Sequence, residues 1–269
     1  MRKLRENERS RTAARIFIAF LLLGVLKECV FAQTCIVIRK TEKELFAGAD
    51  SKGRQFRYAH NGLAVSADTT TSICKIVKCG NLFFAAAGII EIEEIGFDLY
   101  EIARQAGLSE KPASDKIRRI ENSIIAPLTK TLSKVRQTAP PIYDHYVQSG
   151  PVQLALFGIE AYQPVLLVRG FTVRDTGQGQ ISVVRDSSRC RNYSNGTWTA
   201  ILGRNKEIFD FLADHPKFWN LGPVAGIRRL IEIEVKAVPE EVGPPIDLLR
   251  VTEKGAEWIQ RKATCQDIQ

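Results

Sequence analysis

Thr34-Cys35-Ile36-Val37-Ile38 is the stretch on which the reading of this chain turns. It is an unbroken run of β-branched and apolar residues, the composition of a buried strand. Downstream, Leu45-Phe46-Ala47-Gly48-Ala49 is a second apolar piece, ending on Asp50, sixteen positions after Thr34. Between them Arg39-Lys40-Thr41-Glu42-Lys43-Glu44 is a charged turn, so the two pieces read as a hairpin. Upstream stands Ala32-Gln33, the end of a leader-like segment. If processing leaves Thr34 first in the chain, one residue carries both a hydroxyl nucleophile and a free α-amine to act as its base.

The leader reads as a secretory signal. Arg2, Lys3, Arg5, Arg9, Arg11 and Arg15 precede an apolar run from Ile16 to Leu26, and Val30-Phe31-Ala32 offers a cleavage signature. The run falls short of the roughly 20 apolar residues of a membrane span. An uncleaved anchor is the alternative, because Lys27 and Glu28 follow the run closely. The expectation is cleavage after Ala32 or Gln33, leaving 34–269 as one domain, secreted or periplasmic, with no stable membrane insertion. The whole chain has a formal charge of +8, but residues 34–269 keep 31 Lys/Arg against 27 Asp/Glu, a net +4. Without a clustered basic block, nucleic acid is not an expected partner.

Five cysteines follow the leader: Cys35, Cys74, Cys79, Cys190 and Cys265. An odd number in a secreted chain leaves at least one thiol without a partner in the same molecule. Cys74 and Cys79 need not pair with each other, and Cys190 and Cys265 stand out as disulfide candidates in loop-like sequence. With no CxxC and three histidines, neither a structural zinc nor another cofactor is expected.

Further along, residues 51–72 are polar, with a short strand possible at 62–65. A second hairpin follows, Ser72–Val77 and Leu82–Ala87, turning at Cys79-Gly80-Asn81. Ile92, Ile95, Leu99, Ile102 and Ala106 then share a helical face, with Glu91, Glu93 and Glu94 in the first turn. A second helix carries Ile117, Ile120, Ile124, Leu128, Leu132 and Val135, and Pro127 should kink or divide it. Thr138-Ala139-Pro140-Pro141 closes the helical region. Strands are expected at 153–159, 164–173 and 180–184, and a polar loop at 186–197 holds the sequons Asn192-Tyr193-Ser194 and Asn195-Gly196-Thr197. Helices at 206–214 and 223–237 and a final hairpin at 246–251 and 256–260 complete the order. Two antiparallel sheets and two helix pairs in this sequence imply an α+β fold, a four-layer αββα sandwich.

Thr34-Cys35-Ile36-Val37-Ile38, Gly48-Ala49-Asp50, Ile73-Cys74-Lys75-Ile76 and Ala85-Ala86-Ala87-Gly88 together resemble the opening of a proteasome β-subunit. That family belongs to the N-terminal nucleophile (Ntn) hydrolases and shares the αββα order. The resemblance is most specific over 34–88 and implies Thr34 as nucleophile, Lys75 as the ammonium that lowers the amine's pKa, and Asp50 as its partner. It implies an oxyanion donor in the Gly88 N–H, and places the family's accessory acid on Glu240. The family's accessory hydroxyls would fall on Gly243 and near Gly203-Arg204, which have none, and Gln33 replaces the glycine common before the nucleophile. The segment between Asp50 and Lys75 is longer than is usual for the family.

The implied function is a secreted threonine hydrolase that cleaves an amide or peptide bond through an acyl-enzyme, with a peptide or amide substrate and, as in relatives, a ring-like homo-oligomer. Thr34→Ala and Lys75→Ala would each abolish activity. The alternative is a catalytically impaired secreted binding or structural protein that keeps the fold. Residue by residue, bland readings remain: Thr34 as a strand start, Asp50 as a turn acid, Gly88 as a tight junction.

Overall fold

The parity of one strand shows how the apolar residues are shared out. In β6 (Leu82–Gly88), Phe83, Ala85 and Ala87 fall in one buried cluster, while Leu82, Phe84 and Ala86 fall in another. A strand covered on both faces reads as a continuous apolar run rather than an alternation. The computed structural model of the chain describes residues 34–58, 64–70, 73–92, 95–193 and 195–265. The expected signal segment with its expected cleavage points, residues 62–63 and 72, and Ser194 of the first sequon lie outside them.

The elements run β1 (Cys35–Lys40), β2 (Leu45–Ala49), β3 (Gly53–Tyr58), β4 (Ala64–Thr70), β5 (Ile76–Cys79), then β6, β7 (Glu91–Ile92) and β8 (Phe97–Asp98). Three helices follow: α1 (Leu99–Gly107), α2 (Ala113–Thr138) and α3 (Pro140–Ser149). Next come β9 (Val152–Glu160), β10 (Gln163–Gly177), β11 (Gln180–Tyr193), β12 (Trp198–Gly203), α4 (Lys206–Asp214), a 3-10 turn at Phe218–Leu221, α5 (Pro223–Ala237), β13 (Asp247–Thr252) and β14 (Gly255–Gln260). One five-stranded sheet has the order β12-β1-β2-β13-β14 and the other β11-β10-β9-β6-β5. Every strand pairing among the described residues is antiparallel. The fold is therefore α+β, with two antiparallel five-stranded sheets and five α-helices among the described residues.

Three apolar clusters hold these elements. Ile36, Ile38, Ala47 and Ala49 of the first sheet meet Phe83, Ala85, Ala155 and Phe157 of the second. On the other face of the second sheet, Phe84, Ala86, Leu154 and Leu156 pack on Ile117, Ile120, Ile124, Leu128 and Leu132 of α2. Cys35, Val37 and Leu248 of the first sheet pack on Ile208, Ile227, Leu230 and Ile231 of α4 and α5. Each fully buried Val, Leu, Ile or Phe among them contributes roughly 1.5–3 kcal/mol relative to exposure.

Several expectations are corrected. The first helix begins at Leu99, because Gly96 turns Phe97–Asp98 back onto Glu91–Ile92 and Asp98 caps the N–H groups of Tyr100 and Glu101. α2 continues through Pro127, anchored on both sides by Ile124 and Leu128, so the missing N–H does not divide it. The helical region does not end at Pro140-Pro141; those prolines open α3, where no N–H is needed. β11 extends through the expected loop as far as Tyr193, and β12, which the sequence reading did not include, pairs with β1. In the long segment after Asp50, β3 and β4 form a separate two-stranded ribbon. The disulfide joins Cys74 to Cys265, and Cys190 is free.

Candidate active site

Alternation along β1 decides which way its first residues face. Cys35 and Val37 lie on the helix side, whereas Ile36 and Ile38 lie between the sheets, so the same parity assigns position 34 to the inter-sheet side. Thr34 is half-buried, and its carbonyl accepts from the Arg204 N–H at 2.8 Å. Gly203, opposite Cys35 in the β1–β12 register, has φ +80°, and a Cβ there would stand 1.7 Å from the Thr34 carbonyl oxygen and 3.2 Å from the Ala87 Cβ. Only glycine fits that contact. Ala87 at the end of β6 thus lies beside the Thr34 carbonyl, and Gln153 of β9 joins them by accepting from the Gly203 N–H at 3.1 Å.

Asp50 sits one residue past β2 and is wholly buried. Its Oδ1 accepts from the Cys35 N–H at 2.9 Å and from Lys75 Nζ at 2.5 Å. Its Oδ2 accepts from the Lys52 N–H at 3.0 Å and the Gly243 N–H at 3.2 Å. Four donors thus surround one carboxylate, which links the residue after Thr34 to Lys75. Lys75 is 1% exposed and also donates to the Lys52 carbonyl at 2.5 Å. It lies just before β5, not within a strand as the sequence reading had it, and its own carbonyl accepts from the Tyr100 hydroxyl at 3.4 Å. Burial pulls the pKa of its ammonium below the ordinary value; Asp50 opposes that pull and the nearby Lys262 ammonium adds to it. The Tyr100 hydroxyl is pushed upward, chiefly by burial, then by Asp98 and Asp50.

The Cys35 thiol is not disposed to act as a nucleophile. Burial first, then Asp50 and Glu234, push its thiol far above the ordinary range, so it stays neutral on the helix side.

The structure gathers the sequence-predicted residues unequally. Thr34, Asp50 and Lys75 are joined through the Cys35 amide, as described. Gly88, with φ +103°, ends β6 immediately after Ala87, opposite Val152. Glu240 is exposed in the turn after α5, and the residue of that loop bonded to Asp50 is Gly243, through its N–H. Sequence reasoning missed the Lys52 carbonyl and a second buried pair, Asp247 with Lys262, whose Nζ lies 3.0 Å from Oδ2. The acid that interrupts Ile246-Asp247-Leu248-Leu249 is a signal that could have found Asp247, since an acid in an apolar run calls for a partner.

A second polar group lies on the helix side around Arg204, whose N–H bonds the Thr34 carbonyl. Glu234 of α5, 0% exposed, accepts from the Ile208 N–H at 3.3 Å, and its Oε2 lies 3.9 Å from Arg204 Nε. Glu207 Oε2 lies 3.7 Å from the same Nε. Burial, with Glu207 alongside, raises the Glu234 carboxyl to about 7. Among the described residues, no group of three His, Cys, Asp or Glu side chains is placed to hold a metal ion, and no helix is long and apolar enough to cross a membrane. Comparison with protein families and with curated proteins found no match to this chain.

Proposed function

We propose that this chain is an N-terminal nucleophile hydrolase of the proteasome-like kind, with a four-layer αββα arrangement, that cleaves amide or peptide bonds through an acyl-enzyme on Thr34. The observation that carries the reading is the fully buried Lys75–Asp50 pair, whose shared oxygen Oδ1 also holds the amide N–H of Cys35, next to Thr34. A buried ammonium fixed there is what a neighbouring α-amine needs in order to be neutral, and so basic, near pH 7.

Cleavage between Gln33 and Thr34 supplies that amine. The amine takes the Thr34 Oγ proton as Oγ attacks the substrate carbonyl carbon. The Gly88 N–H donates to the oxyanion, the C–N bond breaks as the leaving nitrogen takes the proton, and water then hydrolyses the Thr34 ester. The disulfide favours a location outside the reducing cytosol, in keeping with a secreted or periplasmic protein. A ring-like homo-oligomer belongs to the same reading, and the mass of the protein in solution tests it.

The test is amide hydrolysis by the purified mature protein and by Thr34→Ala, together with N-terminal sequencing. We expect the mature chain to begin at Thr34 and Thr34→Ala to lose activity by at least about 100-fold. Full activity in Thr34→Ala would sink the reading. The exposure of Glu240 and the absence of hydroxyls at Gly243 and Arg204 favour a second reading, a binding protein that keeps the fold without the reaction. A mature chain that retains Gln33 and hydrolyses nothing would select it.

A further inference from the structure

Lys75 belongs to no strand, so no ladder of backbone hydrogen bonds sets its position; the tethers of residues 73–75 do. The Ile73 N–H donates to the Ser51 carbonyl at 3.2 Å, and the Ile73 carbonyl accepts from Lys262 Nζ. Cys74 is bonded to Cys265. Lys75 Nζ then reaches Asp50 and the Lys52 carbonyl. Two of these tethers come from the last described stretch of the chain, and that stretch is itself tied down. The Lys262 N–H donates to Asp247 Oδ1 at 2.8 Å, its Nζ lies 3.0 Å from Asp247 Oδ2, and the Cys265 N–H donates to the Lys262 carbonyl at 3.1 Å. Asp247 stands opposite Ala49 in the β13–β2 register, beside Asp50. Two buried carboxylates, one just past the end of β2 and one at the start of the neighbouring β13, therefore hold two buried ammoniums that come from non-strand segments.

We propose that Lys262, held by Asp247 and by the Cys74–Cys265 bond, is a positioning residue that fixes the Lys75 ammonium on Asp50; the role rests on the hydrolase reading above. A side chain that places Lys75 must contact the segment that carries it. Lys262 does so, and this contact links its placement to that of Lys75. A second ammonium at that place also opposes protonation of its neighbours. Without it, Lys75 would be less firmly placed and the Thr34 amine would hold its proton to higher pH.

The experiment compares the wild type, expressed as the full chain and processed to Thr34, with Asp247→Asn/Lys262→Met, which removes both charges and leaves no unpaired buried ion. Lys262→Arg, which keeps the charge, and Thr34→Ala run beside it. On a peptide amide, the double variant should lose about 10- to 100-fold in kcat with KM unchanged within about twofold. The acid limb of its kcat/KM profile should move to higher pH, and Lys262→Arg should stay nearer to wild type. Amide hydrogen exchange across 73–79 should rise by at least about tenfold, with α2 unchanged. Should the double variant not fold, Asp247→Asn/Lys262→Gln, which also removes both charges but keeps a polar side chain at each position, gives the same exchange readout.

Unchanged exchange across 73–79 overturns the proposal. So does faster exchange with unaltered kcat in a protein whose Thr34→Ala variant is inactive. Full activity in Thr34→Ala instead removes the hydrolase reading, and exchange alone then decides whether Lys262 places Lys75.

Discussion

An ammonium taken out of water is costly unless oxygens replace its hydration shell, and Lys75 has a carboxylate and a carbonyl for that purpose. The same enclosure makes each partner depend on the other. Lys75→Ala would leave Asp50 buried with three N–H donors but no counter-charge, so it should cost about 3–5 kcal/mol of stability besides any activity, read as a shift of the urea midpoint. Lys75→Ala therefore alters the fold's stability as well as the proposed chemistry, and Thr34→Ala, at a half-buried position, is the cleaner probe of the proposed mechanism. Glu234 makes a pH prediction of definite sign. Folding raises its carboxyl from 4.5 to about 7, so the native state holds a proton that the unfolded chain releases. Its contribution to stability is thus greatest below pH 4.5 and declines as pH rises through about 7. The groups facing it are Glu207 and the Ile208 N–H of α4, Arg204, and Cys35 of β1. Glu234→Gln removes the titration, so its stability relative to wild type should rise by roughly 1–3 kcal/mol between pH 5 and pH 8 in urea titrations.

At the scale of elements, α2 couples the second sheet to the helices, and its buried residues recur at the spacing that one helix face demands. Ile117, Ile120, Ile124, Leu128 and Leu132 are all 0–1% exposed. Leu128→Ala should cost about 2–5 kcal/mol, partly from lost burial and partly from the cavity, measured by chemical denaturation. Periodicity this strong is legible in sequence, and so are α4 and α5, whose ends match their expected ranges 206–214 and 223–237. Elsewhere competing local signals misled the reading. The apolar spacing of Ile92 and Ile95 suggested a helix, but Gly96 and the Asp98 cap delay its start to Leu99. Polar residues at 186–193 read as a loop, yet β11 is an edge strand whose outer residues face water, so polarity does not oppose pairing there. Within the candidate site, Asp50 and Lys75 were legible through the motifs that carry the resemblance, Gly48-Ala49-Asp50 and Ile73-Cys74-Lys75-Ile76. The Lys52 carbonyl, the Gly243 N–H and the Gly203 contact are backbone groups brought together by tertiary packing, and no side-chain pattern encodes them.

For the whole molecule, the bond between Cys74 and Cys265 ties the N-terminal third of the chain to its end across a separation of 191 residues. It could not be read from spacing, because the five cysteines from Cys35 to Cys265 allow many pairings, and only the fold brings the coil before β5 next to the coil after β14. Closing so long a loop removes much of the freedom of the unfolded chain, roughly 5 kcal/mol in the chain-entropy account. The bond also lies where Lys75 and Lys262 leave their strandless segments, so its loss should be felt locally as well as globally. Cys74→Ser/Cys265→Ser should therefore lower the unfolding free energy by about 2–5 kcal/mol. The denaturant dependence of its unfolding should change as well, since an unfolded chain without the bond exposes more surface than one cross-linked across 191 residues. Urea titrations of the oxidised wild type, the reduced wild type and the double variant test this together: the last two should coincide and both should fall below the first. A double variant as stable as the oxidised wild type would mean that the two ion pairs and the sheet ladder hold these segments without the covalent bond.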